Sequence, residues 1–119
     1  MKRVLIVDDS VFMLALIRTV LENNGYQIVG QAETGTMAVK LYKELGPDLV
    51  TMDITMPDMQ GLDALREIIA FDSAAKVIMV SAIQQEQMIV LAENNGAKGF
   101  VVKPFLEEQV LRVIENILI

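Results

Sequence analysis

Five short apolar runs alternate along the chain with five longer stretches whose apolar residues recur at helical spacing. The runs are RVLIV (3–7), QIVGQ (27–31), DLVTM (48–52), KVIMV (76–80) and GFVV (99–102). Between and after them the helical spacing occupies roughly 10–23, 35–45, 62–71, 84–95 and 106–118. Turn signals separate the elements: Asn24-Gly25, Gly46-Pro47, Pro57, Gly61, Gly96 and Pro104. The runs do not alternate apolar with polar, so each strand is expected to be covered on both faces, as in a parallel sheet between two layers of helices. Five strands are too few for an eight-stranded barrel, which leaves an open, doubly wound α/β sheet. No repeat, low-complexity tract or linker interrupts the pattern, and 119 residues suffice for one core, so residues 1–119 read as a single domain.

The helical stretches carry more apolar residues than one face needs. In the first, Met13, Leu16, Ile17, Val20 and Leu21 form a stripe expected to face the core, with Phe12 and Leu14 off it. In the fourth, Met88, Ile89, Val90 and Leu91 are consecutive, and a single face cannot bury all four. In the fifth, Val110, Val113, Ile114 and Ile117 form the stripe, with Leu111 and Leu118 outside it. A stray apolar residue is common on any surface. The surplus on the first helix and on the fourth-to-fifth helix side nevertheless offers two surfaces for protein partners.

Open parallel sheets bind ligands beyond the carboxyl ends of their strands. The residues at those ends are Asp8 and Asp9, then Ala32-Glu33-Thr34, then Asp53, Ser81 and Lys103. Adjacent carboxylates at the end of a buried strand are costly unless something neutralises them. If the first and third strands are neighbours, Asp8, Asp9 and Asp53 converge, and a divalent cation would resolve their repulsion.

Composition narrows the choice. The chain has no Cys and no His, which removes thiol chemistry, thiolate metal sites and the commonest general base. A bound metal should be hard and oxygen-seeking, Mg²⁺ or Ca²⁺ before zinc. A net charge of −6 without a basic stripe argues against nucleic acid. The N-terminal MKRVLIVDD meets acid at once and lacks a small-residue cleavage site, and no apolar run nears the roughly 18 residues of a membrane span. The cytoplasm is the expected compartment.

Taken singly, each strand-end residue has an ordinary explanation. Asp9 or Ser10 can cap the first helix, Ser81 can cap another, and Lys103 can be a solvated charge. Together they form a phosphoryl-transfer set: carboxylates for a metal, a carboxylate that can itself become an acyl phosphate, a lysine for phosphoryl oxygens and a small hydroxyl.

With VLIVDDS, DLVTMDITMPDMQGLDAL, VIMVSA and GAKGFVVKPF in order, the chain resembles the response-regulator receiver family over residues 3 to 118, most of all its single-domain chemotaxis members. The resemblance implies a flavodoxin-like sheet of order 2-1-3-4-5. It implies that Asp53 is the residue phosphorylated by a sensor histidine kinase or phosphotransfer protein, and that Asp8, Asp9 and Asp53, with the Thr55 backbone carbonyl, hold Mg²⁺. It further implies that Lys103 contacts the phosphoryl group, that Lys103-Pro104 is a cis peptide bond, and that Ser81 and the aromatic Phe100 form the switch. A monomer is implied whose helix 4–strand 5–helix 5 face binds a downstream protein such as a flagellar motor component. Such a protein is a signalling switch rather than an enzyme with a separate substrate, acting only on its own aspartyl phosphate. Two positions depart from the common pattern. Phe100 lacks the hydroxyl or imidazole often found there. Ile83, two residues past Ser81, is apolar where the family tunes dephosphorylation, and is expected to prolong the phosphorylated state.

Competing readings meet specific obstacles. A haloacid-dehalogenase-like phosphatase needs a second Asp two residues after the first, where Ser10 stands. A flavin-nucleotide binder needs a hydroxyl- and Gly-rich loop where Asp8-Asp9 would repel the phosphate. A receiver that binds without being phosphorylated would be expected to have lost a key residue, and none is lost. Within the family, a stand-alone regulator is favoured over a receiver excised from a multidomain one.

Overall fold

The computed structural model describes residues 1–56, 59–82 and 85–118. The strands are β1 (Arg3–Val7), β2 (Gln27–Ala32), β3 (Leu49–Met52), β4 (Val77–Ser81) and β5 (Gly99–Val102). The helices are α1 (Val11–Glu22), α2 (Gly35–Leu45), α3 (Gly61–Phe71), α4 (Glu86–Asn94) and α5 (Glu107–Leu118). All strand pairs are parallel, in the order β2-β1-β3-β4-β5, so the doubly wound sheet and its strand order stand as expected.

Strand periodicity sends alternate residues to two separate cores. Val4, Ile6, Leu49, Ile78, Val80 and Val101 join Leu14, Ile17 and Leu21 of α1 and Val110 and Ile114 of α5. Leu5, Val7, Val50, Met52, Val77 and Met79 join residues of α2, α3 and α4 on the other face. This two-sided burial is why the strands carry no polar alternation. Among the described residues, no helix is long and apolar enough to cross a membrane.

Local chemistry sets the helix ends. Ser10 and Thr34 accept hydrogen bonds from the Met13 and Met37 N–H groups and start α1 and α2. The Arg3 guanidinium donates to the carbonyls of Leu45 and Gly46, closing the negative end of α2 against the start of β1.

Two helix faces differ from the sequence reading. In α1, Leu14, Ile17, Val20 and Leu21 are buried, Met13 is half-buried, and Leu16 is 40% exposed. At about 100° per residue, Leu14, Ile17 and Leu21 share an arc of about 60°, whereas Leu16 falls well outside it. Leu111 and Leu118 of α5 are not strays, since both pack partly buried against the core that includes α1. In α4, Val90 and Leu91 are exposed while Met88 and Ile89 are half-buried, as four consecutive apolar residues require. Ser81 is the last residue of β4 rather than the first beyond it.

Candidate functional site

Each of three strands continues its ladder for one residue past its end, and that residue carries a charge. The Asp8 N–H donates to the Ala32 carbonyl at 3.0 Å, the Asp53 N–H to Val7 at 3.1 Å and the Lys103 N–H to Ser81 at 2.8 Å. Parity places Asp8 with Val4 and Ile6, Asp53 with Leu49, and Lys103 with Val101, so all three belong to the same side of the sheet. Their backbones are fixed by the sheet itself, which is a rigid platform for a site.

The side chains meet there. Lys103 Nζ lies 2.6 Å from Asp8 Oδ2 and 3.7 Å from Asp53 Oδ1. The other Asp8 oxygen accepts the Ser10 N–H at 2.9 Å, and Asp53 Oδ1 accepts the Ile54 N–H at 2.9 Å. Asp8 is 1% and Asp53 6% exposed, while Asp9 lies open to solvent. One carboxylate oxygen from each of Asp8, Asp9 and Asp53 lies within 4.8 Å of the others. Burial pushes the Asp53 carboxyl above the usual range; Lys103 and the Ile54 N–H oppose this, and the charges of Asp8 and Asp9 add to it.

A single ammonium against three carboxylates leaves the cluster short of positive charge. Hard anionic oxygens with one side open to water suit Mg²⁺, which keeps several of its waters. The donor set therefore fits the metal that the sequence calls for.

The remaining candidates lie around this cluster. Ser81 is buried, and its carbonyl accepts the Lys103 N–H. Phe100 in β5 pairs with Met79, Val102 pairs with Ser81, and Phe100 is half-buried against the core on the α2–α3–α4 face. Thr55 is exposed in the loop that follows Asp53. The Lys103–Pro104 peptide bond is cis. Pro57 and Ile83 lie outside the described residues.

Gly61 has a larger part than the turn signal it resembled. Its N–H donates to the Ile54 carbonyl at 2.6 Å, closing the β3–α3 loop. A Cβ at this position would overlap the Asp53 carbonyl oxygen, which makes any side chain incompatible with the present seat of Asp53. Its fixed place in the Asp-x-x-Met-Pro-x-x-x-Gly run was the available signal.

The fold and this edge cluster are those of a phosphorylation-controlled signalling domain: the family described as the response regulator receiver domain matches residues 4–115, and the chain belongs to it. It is CheY-like throughout its length. It is 51% identical over 116 residues to the chemotaxis protein CheY of Bacillus subtilis (strain 168), covering 98% of this chain and 97% of that protein. It is also 51% identical over 118 residues to protein CcdB of the same organism, covering 99% and 98% respectively. A chain of the CheX–CheY–BeF3–Mg²⁺ complex from Borrelia burgdorferi superposes with a TM-score of 0.97 at 40% identity, over 99% of this chain and 90% of that one.

Proposed function

We propose that the protein is a two-component switch that takes a phosphoryl group onto Asp53 from the phosphohistidine of a sensor histidine kinase or phosphotransfer protein. The observation that carries this reading is the seat of Asp53, fixed by the β1–β3 ladder and facing Asp8 and Lys103 across a cleft edge rich in hard oxygens. Asp8, Asp9 and Asp53 would hold Mg²⁺ through their carboxylates, with the Thr55 backbone carbonyl as a further ligand. When bound, the metal supplies charge neutralisation at the phosphoryl oxygens. The Mg²⁺ in the similar Borrelia complex supports that choice.

In the transfer, an Asp53 Oδ lone pair forms a bond to phosphorus while the phosphorus–nitrogen bond of the donor breaks. The electron pair returns to the donor's imidazole, which takes up a proton from solvent. Lys103, now divided between Asp8 and Asp53, turns to a phosphoryl oxygen. The Ser81 hydroxyl donates to another, and its movement reaches Phe100 through the β4–β5 ladder on the same face of the sheet. Water later cleaves the acyl phosphate and resets the switch. The chain thus acts only on itself, as one receiver domain over residues 1–119, in the cytoplasm and as a monomer.

Exposed Val11, Phe12 and Leu16 on α1, near the site, suit the phosphodonor. Exposed Val90 and Leu91 on α4, with the cleft of about 460 Å³ between β5 and α5, suit a downstream target such as a flagellar motor component. The partner in the Borrelia complex supports recognition of proteins by this fold.

The test is intact mass after incubation with acetyl phosphate, with Mg²⁺, with EDTA, and on Asp53→Asn. One added phosphoryl group, dependent on Mg²⁺ and absent from the variant, is the expected result. A folded protein that gains none under any condition overturns the reading.

A further inference from the structure

The β3–α3 loop is held, among its described residues, at three places. Its start is fixed by the Asp53 N–H on Val7, and its end by the Gly61 N–H on the Ile54 carbonyl. The third hold lies on a different element. A Cβ built on Gly35, the first residue of α2, would stand 2.5 Å from the Met59 carbonyl oxygen, 2.8 Å from Met59 Cβ and 3.0 Å from Met59 Cγ. The first of these atoms is backbone and the second is fixed to it, so the clash cannot be relieved by turning a flexible side chain. The loop backbone would have to move.

Gly35 itself has little freedom to yield. The Thr34 side chain accepts the Met37 N–H and the Thr34 carbonyl accepts the Ala38 N–H, locking the first turn of α2. Ala38, Val39 and Tyr42 of that helix are buried in the core. Met59 packs, half-buried, against the same core. The loop therefore rests on a rigid surface with no room for even one methyl group.

We propose that Gly35 is a positioning residue for the carboxylate site: the missing side chain lets the loop seat on α2, and this seat sets the placement of Asp53 and Thr55 for the metal. The proposal rests on the reading of the site given above. Adding a methyl at 35 pushes Met59 outward, and the Gly61 N–H two residues on, bonded to the Ile54 carbonyl, passes the shift to the Asp53–Thr55 segment. Residues that orient metal ligands from behind commonly change affinity by about 10–100-fold when altered.

The experiment is calorimetric titration with MgCl₂ of the wild type, Gly35→Ala and Thr36→Ala, alongside urea unfolding of each. Gly35→Ala is expected to weaken Mg²⁺ binding about tenfold or more. Exposed Thr36 is the control and should leave affinity unchanged. A Gly35→Ala protein that keeps wild-type Mg²⁺ affinity while only its unfolding midpoint moves overturns the proposal. A second measurement needs no variant. In amide NMR of the wild type, the Gly35 and Met59 resonances should move with those of Asp53 and Ile54 as Mg²⁺ is added, and a Gly35 resonance that stays still refutes the coupling. A wild-type protein that binds no Mg²⁺ is a different result: it defeats the reading of the site, and the proposal with it.

Discussion

Burial holds the Asp53 carboxyl above the usual range; Lys103 and the Ile54 N–H pull it down and the Asp8 and Asp9 charges push it further up. A raised pKa in the folded state means the native protein holds this proton more tightly than the unfolded chain does. The group's stabilising contribution is complete below the ordinary carboxylate range and is lost as pH rises through the elevated value. At neutral pH its charge therefore opposes folding, and Asp53→Asn should melt at a higher temperature than wild type in EDTA. Mg²⁺ at a hundredfold excess over its dissociation constant adds about 2.7 kcal/mol to the protein that binds it, so the gap should close or invert with metal. A variant that melts lower than wild type in EDTA contradicts this. Thr51 poses the opposite case. It lies on the same side of the sheet, and its hydroxyl is the buried side-chain oxygen that has no hydrogen-bond partner among the described residues. Thr51→Val keeps the shape and removes the unsatisfied group, so urea unfolding should show a gain of about 1 kcal/mol with Mg²⁺ affinity unchanged. Asp8, Asp53 and Lys103 were legible in the sequence because a charged residue directly after an apolar run is conspicuous. The part played by Gly35 was not, since its neighbour Met59 is remote in sequence and neither periodicity nor turn chemistry reports such a contact.

At the scale of elements, the strands were legible to within a residue or two because the inner three, β1, β3 and β4, are buried on both faces and the apolar runs end where the sheet ends. The helices were legible in extent but not always in orientation. In α1 the expected and observed stripes share Ile17, Val20 and Leu21, and spacing alone cannot decide whether Leu14 or Leu16 completes the face. Packing against β1 and α5 decides for Leu14, which is 1% exposed. The two readings predict opposite mutational outcomes. Leu14→Ala should cost about 2–5 kcal/mol, as buried leucines do, and Leu16→Ala about 0.5 kcal/mol or less. Reversed values in chemical denaturation would restore the other stripe. Leu16, left outside the core, then joins Val11 and Phe12 in the surface proposed for a phosphodonor.

Across the whole molecule, α4 buries less of itself than α1, α2 and α3 do. α4 buries only Ala92 and α5 two residues, whereas α1 and α2 bury four each and α3 five. Its N-cap, Gln85, makes no side-chain cap hydrogen bond, unlike Ser10 and Thr34. Met88 packs half-buried against the core, and among the described residues the side-chain hydrogen bonds of α4 lie at its far end. The Asn95 side chain donates to the Leu91 carbonyl at 2.7 Å and accepts from Arg66 Nε of α3 at 2.9 Å, while Arg66 also pairs with Asp63. A helix that buries little, with its side-chain hydrogen bonds at the C-terminal end, can be biased by small changes at the site, which is the property a two-state element needs. Hydrogen exchange should therefore find the N-terminal half of α4 opening at a free energy well below that of global unfolding, with α1 and α3 close to the global value. Arg66→Ala should speed exchange several-fold in the last turn of α4 and cost no more than about 1 kcal/mol in global stability, since both of its partners are surface groups. If Ser81 holds the phosphoryl group as proposed, phosphorylation should slow exchange at the N-terminal half. If α4 proves as protected as α3 before phosphorylation, signal transfer through it would require breaking stable structure, and the route from Asp53 to a partner surface would have to run through β5 alone.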